Sequence, residues 1–153
     1  MPHCPQDQRV QFTRQVTYVI HPWRTIQTRD NGYVVGHGEV GDAVHRVCKI
    51  SADGRHIVHS HGGQPGSGRG QYVGPYHLEV NDNEFVFVAD CVNRRVRLLS
   101  PTLGHVRDIM SRVHLKWQPC RLCFDSQRGR LYVVDNEFLR GMATSGRVIV
   151  FNV

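Results

Sequence analysis

The chain has 153 residues, about 40% of them apolar, with 15 Gly and 7 Pro; this suits one domain with a real core and excludes a disordered chain. So many Gly and Pro favour short strands joined by turns over a helical bundle. The formal charge is +6, and of 19 basic residues only Lys49 and Lys116 are Lys, so the charge is nearly all guanidinium, suited to an acidic partner, either nucleic acid or an acidic peptide.

Residues 1–13 read as an N-terminal segment. Met1 to Arg9 are polar, without the charged-then-apolar pattern of a secretion signal. No apolar run approaches the roughly 20 residues of a membrane-spanning helix. Five cysteines, odd in number and irregularly spaced, fit a reducing compartment, and a cytoplasmic location is expected.

Residues 14–60 read as the first copy of a repeat. His21-Pro22-Trp23-Arg24-Thr25-Ile26 opens it, Asp30-Asn31-Gly32 forms a turn, and Tyr33-Val34-Val35 follows. Arg46-Val47-Cys48-Lys49-Ile50 is a third strand and His56-Ile57-Val58-His59 a fourth. Residues 61–112 repeat the order. A Gly-rich link, His61 to Gly74, leads to Pro75-Tyr76-His77-Leu78-Glu79-Val80, a turn from Asn81 to Glu84, and Phe85-Val86-Phe87-Val88. Arg95-Val96-Arg97-Leu98-Leu99 and His105-Val106-Arg107-Asp108-Ile109 complete it. Residues 113–153 give a third copy: Gln118-Pro119-Cys120-Arg121-Leu122-Cys123-Phe124, a turn from Asp125 to Gly129, Leu131-Tyr132-Val133-Val134, a long loop from Asn136 to Gly146, and Arg147-Val148-Ile149-Val150-Phe151. The prolines are 53 and 44 residues apart, and every third strand begins Arg-Val. Short, β-branched runs in units of roughly 45 residues are the pattern of propeller blades. The expected fold is all-β: a partial β-propeller of three four-stranded antiparallel blades in an open arc.

The middle copy carries the most specific resemblance. Its Gly-rich link ends in an aromatic, Tyr72, and then Gly74-Pro75, and Val88-Ala89-Asp90 is followed by Asn93-Arg94-Arg95-Val96. This resembles the NHL repeat, whose core reads Val-Ala-Asp…Asn-His-Arg-Ile/Val; Arg94 stands at the family's His. The first copy has Gly36-His37-Gly38 at the Ala-Asp position, and the third keeps Asp135 without the Asn-His-Arg triplet. The resemblance implies a ring of about six blades, so an arc of three is expected to be a fragment or to complete a ring by self-association. It also implies a non-enzymatic scaffold like the NHL domains of tripartite-motif proteins, which recruit a protein or RNA target for ubiquitin ligation or RNA repression. Asp90 and Asn93 are expected to hold the loop between strands two and three.

In a propeller the loops entering the inner strands share one end with those joining strands two and three. That end is expected to carry the ligand-binding face: Trp23, Arg24, Tyr76, His77, Asn93, Arg94 and Arg121. Aromatics interleaved with Arg suit peptide anchoring or stacking on unpaired single-stranded RNA. No catalytic set, cofactor or metal is expected. His59 and His61 share a strand face but lack a third ligand at fixed spacing, and Cys120 and Cys123, a lone C-x-x-C, read as packing residues. The competing expectation is a metal-dependent propeller enzyme, a lyase or lactonase.

Overall fold

The computed structural model describes residues 18–139 and 141–153; the segment 1–13 and the first residues of the expected first blade lie outside them. The described residues form eleven strands in three antiparallel sheets, each a meander in sequence order. Blade one comprises β1 (Pro22–Gln27), β2 (Tyr33–His37), β3 (His45–Ile50) and β4 (Ile57–Gly63). Blade two comprises β5 (Pro75–Val80), β6 (Val86–Asp90), β7 (Arg95–Leu99) and β8 (His105–Met110). Blade three comprises β9 (Gln118–Asp125), β10 (Arg130–Leu139) and β11 (Met142–Asn152). The inner strand β5 lies between β1 and β9, so the sheets fan side by side as propeller blades do.

Three details differ from the sequence reading. Blade three has three strands among the described residues, not four. The stretch from Asn136 to Gly146 is not a loop: β10 and β11 stay paired out to Leu139 and Met142, forming a hairpin that outruns the other blades. Its polar and glycine-containing sequence reads as a turn, yet cross-strand backbone bonding continues through it. His61 to Gly63, taken as part of the link, are the end of β4, paired with β3.

The turn from β1 to β2 and that from β5 to β6 have the same backbone bonds. Thr28 and Asn81 accept from Asn31 and Glu84, and those two residues take positive φ of 60° and 63°. Gly129 fills the corresponding place in blade three at 59°. A left-handed residue at the end of a short turn matches the twist of the flanking strands.

The blades pack by a repeated knob-and-face contact. The residue three after each repeat proline docks on the blade before it: Leu78 against Val34 and Val47 of blade one, Leu122 against Ala89 and Val96 of blade two. Val47 and Val96, each second in an Arg-Val pair, are thereby fully buried. The third member, Val148, is 61% exposed. At the opposite end of the arc, Val35, Cys48 and Ile50 are covered by Tyr18 and Val19. Among the described residues one terminal face is capped, and the other exposes Val148 and Val150.

A buried acid-arginine clamp recurs. Asp90, at the end of β6, accepts from the Val73 amide at 2.8 Å, from Asn93 Nδ2 at 2.9 Å and from Arg95 Nε at 2.7 Å. Asp135 accepts from the Lys116 and Trp117 amides, both at 2.9 Å, and from Arg147 Nε at 3.0 Å. Both carboxylates are fully buried. Each ties the incoming link to the second and third strands of its own blade. Removing the acid leaves a guanidinium without its counter-ion and the link amides without partners. Asp90→Ala is expected to cost about 3–5 kcal/mol in urea unfolding. Asp135→Ala is expected to cost less, about 1–3 kcal/mol, because the Arg147 side chain is 45% exposed and water can replace its partner.

Candidate binding face

Antiparallel pairing sets one end of the arc. Pro22 lies opposite His37, Pro75 opposite Asp90 and Pro119 opposite Asp135. The starts of the inner strands therefore share an end with the connections from strand two to strand three. In each blade the register slips by one residue directly after the proline. The bulged residues are Trp23, Tyr76 and Cys120. A bulge leaves its residue unpaired and re-aims its side chain, and here two of the three are aromatic. Their rings meet across the first two blades, centroids 4.6 Å apart and planes tilted by 45°. Trp23 is 47% exposed, so the stack offers an open aromatic step. Gly74 is required beside it: at φ +73° a Cβ would lie 2.6 Å from the Tyr76 ring.

The residue after each bulge is basic: Arg24, His77 and Arg121, on adjacent inner strands. Arg24 and Arg121 are exposed, whereas His77 is buried. His77 Nδ1 accepts from the Leu122 amide at 3.2 Å, so the ring proton of the neutral imidazole is on Nε2. Burial, then the Arg24 and Arg121 guanidiniums, pull the His77 pKa down to about 4.

The remaining expected residues serve the framework. Asn93 is buried and donates to the Gly66 carbonyl and to Asp90, so both amide hydrogens are used inside the fold. Arg94, at φ +53°, donates to the Leu115 carbonyl of the next link at 2.9 Å. Two residues that the sequence reading placed only in a strand, Arg95 and Arg97, hold the Gly-rich link by its carbonyls. Arg95 donates to Ser67, Gly68 and Gln71, and Arg97 to Gly68, Arg69 and Gln71. The repeated Arg-Val start of the third strands was the signal for Arg95.

Arg94 also borders a groove of about 180 Å³ under the long hairpin, with Lys116, Trp117, Asn136, Glu137 and Phe138. Lys116 Nζ lies 4.4 Å from the Trp117 ring centroid. Lys116, Trp117 and Phe138 were missed because they stand in the link and in the stretch read as a loop, outside the aligned repeat. Each connection from strand two to strand three also exposes apolar side chains: Val40 (63%) in blade one, Val92 in blade two, and Phe138 and Met142 (69%) at the hairpin.

No group of three or more His, Cys, Asp and Glu able to share a metal occurs among the described residues. His61 shares a 2.7 Å hydrogen bond with the Tyr72 hydroxyl and stacks on His105. Cys120 donates to the Val134 carbonyl. Cys123 is not a packing residue: it is exposed, its position paired with Tyr132 and through it with Val150, on the bare side of blade three. In blade one His37 replaces the clamp aspartate. Burial, and then Arg46, hold its pKa below the ordinary value, so a neutral ring stands beside that arginine; His37 Nδ1 and Arg46 Nε have no partner among the described residues.

A histidine whose folded pKa is depressed stabilises the fold fully above its ordinary pKa of 6.5 and loses that contribution as pH falls. For His77 the window runs from about 6.5 down to about 4, and the loss is up to about 3 kcal/mol. Burial acts on His37 and His61 in the same direction. Urea unfolding at pH 7 and pH 4.5 should show a lower midpoint in acid. His77→Gln should flatten that difference, and an unchanged pH slope would disprove the assignment.

No protein-family model matches the chain, and no curated protein matches it. Among solved structures it is similar to a protein of unknown function from Bacteroides caccae, with a TM-score of 0.50 and 11% identity, covering 82% of this chain and 45% of that one. The chain thus spans less than half of that protein's length, and the likeness concerns the fold alone.

Proposed function

We propose that the chain is a non-enzymatic scaffold of the NHL type, whose loop end recruits a protein target carrying an acidic segment. The observation that carries this reading is the composition of one end of the arc. The Trp23–Tyr76 step, Val40, Val92, Phe138 and Met142 are apolar and reach solvent there, interleaved with Arg24, Lys116 and Arg121. Exposed apolar side chains clustered at one end of a soluble fold mark an interaction surface, and Trp, Tyr and Arg supply most interface hot spots. The cations select an acidic partner and speed its encounter. Recruitment for ubiquitin ligation, as the NHL resemblance implies, fits this reading. Four of the cysteines are free thiols, which suits the cytoplasm. No helix among the described residues is long and apolar enough to cross a membrane.

The test is selection of binders from a random peptide library by the purified chain. Enriched sequences should combine an aromatic or aliphatic anchor with Asp or Glu. Trp23→Ala and Phe138→Ala should each weaken the best peptide at least about tenfold, roughly 1.4 kcal/mol, with the unfolding midpoint nearly unchanged. An empty selection together with steeply salt-dependent binding of a uridine 12-mer would replace this reading with an RNA module. Stoichiometric calcium or zinc in the purified protein would favour the enzyme instead.

A further inference from the structure

We infer that Arg24, His77 and Arg121 form an oxyanion-binding row across the three inner strands, which takes a carboxylate or phosphoryl group of the recruited protein. This deepens the recruitment reading and rests on it for the identity of the partner. The three residues occupy one register position, two after Pro22, Pro75 and Pro119, directly past the bulge of each blade. Because β5 lies between β1 and β9, they stand side by side with His77 in the middle.

Their chemistry is one-sided. Arg24 and Arg121 form no ion pair among the described residues; Arg121 donates only to the neighbouring Cys120 carbonyl. The Leu122 amide occupies His77 Nδ1, and Nε2, which carries the proton, has no partner among the described residues. The charged groups acting on His77 are Arg24 from β1 and Arg121 from β9, with no carboxylate among them. Of the acids at this end, Asp90 and Asp135 are held in the clamps, Glu137 accepts from Thr144, Asp42 is paired with His21 at 2.8 Å, and Glu39 lies on the blade-one loop with Asp42. Two guanidiniums and an imidazole N–H thus form a run of donors with uncompensated positive charge. An oxyanion satisfies such a row, because charge-assisted hydrogen bonds to guanidinium are strong and directional.

The row is read through the His77 ring. An anion at Nε2 offsets the two guanidiniums and favours protonation, so it raises the histidine pKa. The ring is followed by NMR across pH 3.5–7.5 in the full chain, in sodium chloride, sodium sulfate or sodium acetate at equal ionic strength. In sulfate or acetate the His77 midpoint should move up from about 4 by about one unit or more, saturating with anion concentration. A response confined to sulfate identifies a phosphoryl group, and a response to acetate identifies an Asp or Glu carboxylate. In Arg24→Gln/Arg121→Gln the midpoint in chloride should already be higher, and added anion should leave it unmoved. Both arginines are exposed, so this variant should keep the native spectrum. Equal midpoints in all three salts overturn the row, as does an anion response that survives the double substitution. Peptides that bind without any anion effect on His77 leave the recruiting face standing and remove the row; an anion effect without peptide binding does the reverse.

Discussion

Each link that carries the chain from one blade into the next would, by itself, leave backbone amides and carbonyls unpaired at a buried seam. The Asp90 and Asp135 clamps remove that difficulty. A carboxylate takes the last amides of the link, and an arginine from the neighbouring strand balances its charge. In the middle copy Arg95 and Arg97 then reach back and gather the link's carbonyls. The glycines of that link, which allow it to bend, are held by side chains and not by a β-ladder. The placement of the inner strands, and so of the Trp23–Tyr76 step, follows from these bonds.

The same seam explains why Asn93 and Arg94, though they sit on the loop end, face inward. Asn93 spends its amide on Gly66 and Asp90, and Arg94 donates to the link that follows. What remains for a ligand is what the clamps leave free: the bulged aromatics, the basic residues behind them, and the tips of the connections. Blade one departs from the scheme. His37 replaces the aspartate, and burial keeps it neutral beside Arg46, so among the described residues blade one lacks the aspartate–arginine pair of the other two blades.

The blade pattern was legible because turns and strands carry strong local chemistry. Three prolines, three Arg-Val starts and recurrent Asx-rich turns place the strands of all three sheets close to where they lie. The long hairpin was not legible, since Asn136 to Gly146 has turn-like composition and its pairing depends on a partner strand ten residues away. The inward role of Asn93 followed from its type, but the bonding of Arg94, Arg95 and Arg97 did not, because a guanidinium that captures carbonyls has no spacing rule. Trp23 and Tyr76 were legible as neighbours of the repeat prolines. That they meet depends on matching bulges in two separate sheets.

The unequal ends of the arc give the molecule a direction. Tyr18 and Val19 cover blade one, whereas the valine of blade three's Arg-Val pair is 61% exposed. Each leucine knob fits a face built by the preceding blade. Stability in such an array passes from neighbour to neighbour. Blade two stands between two such contacts, with its Leu78 on blade one and the Leu122 of blade three on its own face. A change that loosens Leu78 or Leu122 is therefore felt across a seam and not in its own blade alone.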